Sequence, residues 1–167
     1  MTRKLDVDAL LQSMQQDLKQ ALQQCQVSDP VMIGIRTGGV WVAKRLHQAL
    51  ALSTPLSSLN ISFYRDDFTR IGVHPQVQPS ELPYDLTDRC IILVDDVLFT
   101  GRTIRAAMNE IFDYGRPARI LLAVLVDRGG RELPIQADII GTTITPAAGE
   151  QIKLTGPDPL KLDIITP

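Results

Sequence analysis

Asp95 and Asp96 stand side by side after the apolar run Ile91-Ile92-Leu93-Val94, and Val97-Leu98-Phe99-Thr100-Gly101-Arg102-Thr103 follows them. Adjacent carboxylates repel each other, so the pair needs hydroxyls, a metal or cations nearby. Gly101 lets a backbone approach a ligand closely, and Thr100 and Thr103 add hydroxyl donors. If a helix opens here, its first N–H groups point at the same spot with partial positive charge. Such a turn suits a phosphomonoester, while the acids, which would repel phosphate, suit the hydroxyls of an attached pentose. A receiver domain of a phosphorelay also carries paired acids at a strand end. There, however, the pair belongs to the first strand, whereas here it lies mid-chain and leads into Thr-Gly-Arg-Thr.

The elements around this segment must hold it at a sheet edge. Its apolar run shows no alternation and is β-branched, as a strand covered on both faces of a parallel sheet should be. The spacing predicts a helix from about Thr103 to Tyr114, stopped by Gly115 at C′ and by Pro117 beyond it. Ile120 to Val126 reads as another buried strand and Val31 to Ile35 as a third. Loop residues Arg36 to Gly39 then lead into a helix with Val40, Ala43, Leu46 and Leu50 on one face. Leu10, Leu11, Met14, Leu18, Ala21, Leu22 and Cys25 recur at helical spacing after Asp6 and Asp8, which can cap the start. Asn60 to Tyr64 predicts a strand, and the long stretch to Pro83 that follows is the kind of loop that is functional or mobile. Lys161 to Pro167 can form an edge strand. Strands alternating with helices give an α/β fold with a mainly parallel central sheet flanked by helices. Ligands in such sheets bind beyond the C-terminal strand ends, and the suspect loops all fall on that edge.

The chain has 167 residues, enough for one domain with a real core, and no repeat or second core is visible. Its 17 basic and 19 acidic residues nearly balance, which argues against an obligate polyanion binder. Cys25 and Cys90 show no metal-ligand spacing and read as buried reduced thiols. The apolar run from Ile120 to Val126 is far short of the roughly 20 residues that span a bilayer. The opening Met-Thr-Arg-Lys-Leu-Asp lacks the apolar region of a signal peptide. A cytoplasmic protein is expected.

The acid pair with Thr-Gly-Arg-Thr resembles the phosphoribosyl-pyrophosphate (PRPP) signature of type I phosphoribosyltransferases. Gly34-Ile35-Arg36-Thr37-Gly38-Gly39, Tyr64-Arg65-Asp66-Asp67 and Leu125-Val126-Asp127-Arg128-Gly129-Gly130-Arg131-Glu132-Leu133-Pro134-Ile135 extend the likeness over most of the chain. Together they resemble the PyrR family, bacterial pyrimidine-operon regulators that are also uracil phosphoribosyltransferases. The resemblance implies a single domain over residues 1–167, with a flexible loop at about 65–83 and a small hood at about 127–145.

It also implies roles. Val97 to Thr103 would hold the 5′-phosphate and sugar, with Asp95 and Asp96 on the ribose hydroxyls. Magnesium would be carried mostly by PRPP and water near those acids, with little direct protein ligation. Arg36, Thr37, Gly38 and Gly39 match the pyrophosphate loop, whose bland alternative is an ordinary Gly-Gly turn. Arg65 and Arg70 lie in the loop that closes over PRPP. Asp127 to Ile140, with Asp127 and Arg128 at its start and Ile139 and Ile140 against the ring, takes the position that covers the base.

Phe99 bears on base choice. Purine-using relatives place an aspartate there to handle a ring proton, and a phenyl ring accepts none. Asp127 agrees, because a carboxylate cannot donate to a purine 6-oxo group as the matching lysine does. The expected reaction is therefore uracil plus PRPP to UMP and pyrophosphate, with a homodimer or higher assembly expected. A regulatory RNA-binding protein with vestigial catalysis and a purine or other-base phosphoribosyltransferase remain the alternatives. Leader-RNA binding regulated by UMP is a further expectation, but it needs a basic face. Ile139 to Ile152 contains no lysine or arginine, and the first helix has only Lys19. His47, on a helix pattern, and His74, in the long loop, are poor catalytic candidates. Trp41, opening a helix, reads as packing.

Overall fold

The computed structural model describes residues 1–61, 82 and 85–167. Strand β1 (Thr2–Leu5) precedes helix α1 (Val7–Gln24), and β2 (Val31–Ile35) runs into α2 (Gly38–Leu50) and β3 (Ser57–Leu59). Then come β4 (Cys90–Leu98), α3 (Arg102–Asp113), β5 (Arg119–Asp127), β6 (Ile139–Thr143), β7 (Gln151–Thr155) and β8 (Lys161–Ile165).

Five strands form one sheet in the order β3-β2-β4-β5-β6, with every pairing parallel. Its strand residues sort by alternation, as the pleat requires. Cys90, Ile92 and Val94 of β4 join Leu121, Ala123 and Leu125 of β5 under α1 and α2. Ile91, Leu93, Leu122 and Val124 face the other way, against Ile104, Ala107 and Ile111 of α3. Burial on both faces is what the unbroken apolar runs demand, at about 1.5–3 kcal/mol for each large side chain removed from water.

The helices start where local chemistry allows. Asp6 caps α1 by accepting from the Ala9 N–H at 3.1 Å, and Leu11, Met14, Leu18 and Leu22 line its buried stripe. Helix α3 follows Gly101, held at φ +93, and ends at Asp113 with Gly115 two residues on, one residue beyond the C-cap. The predicted stop is thus at its place.

Three expectations are corrected. Asn60 and Ile61, where a strand is predicted to start, are not in one: β3 is Ser57–Leu59 and ends before them, with Ser57 and Ser58 buried beside β2 despite their polarity. Residues 62–64 lie outside the described residues, as do Arg65, Arg70 and His74 and almost all of the loop predicted at 65–83. The C-terminal segment is no edge: β8 is the middle strand of a second, antiparallel sheet in the order β1-β8-β7. This sheet lays Leu162 and Ile164 on the α1–α2 side of the core. Lastly, β4 does not stop at the acids. It continues through Val97 and Leu98, which pair with Val126 and Asp127 of β5.

Candidate functional site

Three adjacent parallel strands, β2, β4 and β5, deliver their following loops to one edge. The loop after β2 is drawn tight against β4. Arg36 donates its N–H to the Leu59 carbonyl at 2.9 Å, the Arg36–Thr37 peptide is cis, and α2 starts at Gly38. Gly38 lies directly against the Asp96 carboxylate. A Cβ on Gly39 would stand 2.7 Å from the Val94 carbonyl oxygen and 3.0 Å from the Asp95 Cα, so only glycine fits that approach. The glycine-rich loop and the acid pair, separated by most of a crossover in sequence, are therefore one surface.

Each acid is already oriented. Asp95, nearly fully buried, accepts the Asp96 N–H at 2.9 Å, and Asp96, half-buried, accepts the Val97 N–H at 2.8 Å. Further on, the Thr100 hydroxyl accepts the Arg102 N–H at 3.2 Å, which folds the turn onto the start of α3. The Gly101, Thr103 and Ile104 amides belong to the part of a helix that lacks intrahelical acceptors. Thr103 is half-buried, and Phe99 stands 44% exposed at the rim.

The loop after β5 clamps this turn. Arg131 is its hub: Nη1 donates to the Phe99 carbonyl at 2.9 Å, Nε to the Ile135 carbonyl at 2.8 Å, and Nη2 to Asp127 Oδ2 at 2.6 Å. The Thr100 carbonyl accepts from the Glu132 and Leu133 N–H groups at 2.9 and 3.1 Å, and Arg102 pairs with Glu132 at 3.3 Å. Asp127 also accepts the Gly129 N–H at 3.0 Å. Its hydrogen bond from Arg131 is the main reason its carboxyl is held below the usual carboxylate range, burial working the other way. Arg128 lies flat over Phe99, 3.9 Å from the ring centroid, and its Nε is buried with no hydrogen-bond partner among the described residues. Gly130 approaches the other atoms of the same ring so closely that a Cβ there would meet Cε2 at 2.5 Å.

The structure therefore brings Arg36 to Gly39 against Asp95 and Asp96, and joins Phe99 to Thr103 with Asp127 and Arg128. Ile139 is not part of this cleft. It is the first residue of β6, paired with Ala123, and its side chain is buried in the core with Met14 and Val126. Ile140, paired with Val124, packs on the opposite core. An apolar pair after a turn is here a parallel edge strand. His47 sits at the end of α2, its Nε2 2.7 Å from the Thr54 carbonyl, and Trp41 packs on the core beside Gly156. Arg131 was not among the residues predicted for the site. The signal that could have found it is the Asp127–Arg131 spacing across two glycines, which lets the chain fold back on itself.

Comparison with known proteins gives the family and the fold. The phosphoribosyl transferase domain family matches residues 6–156. The bifunctional protein PyrR of Nitrosococcus oceani is 61% identical over 162 residues, covering 96% of this chain and 92% of that protein. A bifunctional protein PyrR of Pseudomonas fluorescens is 53% identical over 156 residues, 93% of each chain. Among solved structures, a hypoxanthine-guanine phosphoribosyltransferase from Bacillus anthracis superposes with a TM-score of 0.72 over 99% of both chains at 14% identity, a likeness of fold.

Proposed function

The chain belongs to the PyrR family of phosphoribosyltransferases, which make UMP from uracil and PRPP and regulate pyrimidine operons, and on that premise we propose which of its residues carry the transfer. The reaction displaces pyrophosphate from the pentose C1 by a ring nitrogen, through a transition state with cationic sugar character. The protein must hold both partners, receive the leaving charge and keep water away.

The observation that carries the reading is the seating of Gly38 and Gly39 on Asp96 and Asp95. It puts the loop suited to a leaving pyrophosphate in contact with the acids suited to the ribose hydroxyls. In this reading Arg36 and the amides of Thr37 to Gly39 receive the pyrophosphate. Thr100, Gly101, Arg102 and Thr103, at the positive end of α3, take the 5′-phosphate, while Val97 and Leu98 form the floor beneath the sugar. The donor set fits magnesium. It would be held mostly by oxygens of PRPP and water, with the hard carboxylate oxygens of Asp95 and Asp96 beside it. When bound, the ion neutralises charge on the departing pyrophosphate.

Base choice follows from Phe99 and its neighbours. Phe99 offers no proton acceptor, Asp127 is committed to Arg131, and the open Nε of Arg128 is a donor suited to a pyrimidine carbonyl. Turnover of uracil, hypoxanthine and orotate with PRPP and magnesium is the test. UMP formation with hypoxanthine refused is the expected result, and robust hypoxanthine turnover would overturn the assignment.

We infer leader-RNA binding as the second activity, on the family alone. Lys19 is the one basic residue of α1, and Arg128 and Arg131 are engaged at the cleft. A filter-binding titration of pyrimidine-leader RNA with and without UMP separates the two, since tight UMP-dependent binding would put regulation first. We also infer a homo-oligomer, for which Phe112 and Tyr114, exposed at the end of α3, offer apolar surface.

A further inference from the structure

The two cysteines of this chain are far apart in sequence and line one cavity, at the edge of the sheet opposite the transfer site. Cys25 is the C-cap of α1, one turn past Leu22, and Leu22 belongs to the same core as Cys90. Residues three apart share a helix face, so Cys25 continues the stripe that α1 lays on the sheet. Cys90 opens β4 and points to that same side, in alternation with Ile92 and Val94. Both line one cavity of about 430 Å³ that also carries Arg89 and Arg119. Arg119 is the register partner of Cys90 across β4 and β5.

The two thiols differ in a useful way. Cys90 is buried and Cys25 is half-buried, so solvent reaches one first. Burial pushes the Cys90 thiol up, the nearby Cys25 adds to the rise, and Arg119 opposes it. The thiolate is the form that attacks disulfides, and a reagent in solvent meets Cys25 before Cys90.

We propose that Cys25 and Cys90 form a redox-active pair that closes to an intramolecular disulfide on reaction with a small-molecule disulfide. The Cys25 thiolate attacks one sulfur of the reagent, breaking its S–S bond and expelling one thiolate, which takes up a proton. The resulting mixed disulfide faces the cavity that Cys90 also lines. Cys90 then gives up its proton to solvent and attacks the Cys25 sulfur, releasing the second half of the reagent as a thiol. Two protein thiols are oxidised, and one external disulfide is reduced to two thiols.

The bond would tie the end of α1 to the start of β4 and close the loop between residues 25 and 90, restricting the unfolded chain. The acids lie five residues along β4 from Cys90, so the lock stiffens the scaffold without touching the site. The inference stands apart from the assignment of the transfer reaction.

The full-length protein is incubated with glutathione disulfide, alkylated, digested and mapped by mass spectrometry without reduction. Expected are a Cys25–Cys90 crosslinked peptide, an intact mass lower by two hydrogens, and a melting temperature raised by several degrees and restored by dithiothreitol. Cys25→Ser should leave Cys90 reduced and without adduct. Cys90→Ser should trap glutathione on Cys25, showing that Cys25 attacks first. A stable glutathione adduct on Cys25 of the unmutated chain, a crosslink between two copies, or two thiols still titratable after treatment would each overturn the proposal.

Discussion

Replacing Arg131 by alanine removes the fastening between the loop after β5 and the turn that ends β4. Three hydrogen bonds go at once, to the Phe99 carbonyl, the Ile135 carbonyl and Asp127. Removing one partner of a fully buried ion pair costs about 3–5 kcal/mol. Here the side chains are 24% and 14% exposed, and that access to water brings the pair down to roughly 2 kcal/mol. The two abandoned carbonyls, partly rehydrated, add about 1 kcal/mol each. A loss of about 4 kcal/mol lowers the melting temperature of a domain of this size by about 8–16 °C.

The pH dependence supplies an independent check. The folded-state pKa of Asp127 is depressed, with the Arg131 hydrogen bond as the largest cause. Its contribution is therefore present above the unfolded pKa and is lost as pH falls through the folded value. The gap between wild type and Arg131→Ala should be full at neutral pH. Below the ordinary aspartate pKa it should begin to narrow, reaching what the two carbonyl bonds supply only below the depressed folded value. Urea melts followed by circular dichroism, at neutral pH and at about pH 3, below the ordinary aspartate pKa, measure both. Asp127→Asn in each background closes a double-mutant cycle. A destabilisation under about 1 kcal/mol, below even the two carbonyl bonds, or a gap that does not narrow in acid, would refute the clamp.

Two further substitutions probe the contact between loops. Gly39→Ala places a Cβ against the Val94 carbonyl and the Asp95 Cα, and backbone on both sides cannot yield. The loop must withdraw, so activity should drop about a hundredfold with an unchanged circular dichroism spectrum; wild-type kinetics would show that the contact is irrelevant. Asp96→Asn keeps an acceptor for the Val97 N–H and should leave the melting temperature within a few degrees. Its KM for PRPP should rise and its turnover fall, as for Asp95→Asn, and unchanged steady-state constants in either would contradict the ribose assignment.

Much of the fold is legible in the sequence alone. The β-branched, non-alternating runs at Ile91 and Ile120 mark strands covered on both faces, and the stripe from Leu11 to Leu22 marks a helix with one buried side. Gly115 and Pro117 mark where α3 must stop. Those signals are local, so sequence carries them. The sheet β1-β8-β7 is different: its strands are short and polar in part, and its register joins Thr2 to Ile165, information that no window along the chain contains. Ser57 and Ser58 hide a strand because their burial comes from neighbours and not from their own polarity. At the site, the acids and glycines could be read by type. The placing of Arg131 could not, since its three acceptors depend on how the loop turns.

The pairing of β8 between β1 and β7 has a consequence for how the protein is made. Residues 2–5 leave the ribosome long before 161–165, the segment they pair with, and 151–155 must wait for the same segment. The parallel sheet can assemble from what precedes it, but the second sheet closes only as a last, long-range step, the kind that slows folding. A chain interrupted before Lys161 would therefore carry two unmatched strands, with backbone N–H and C=O groups open to pairing with another chain.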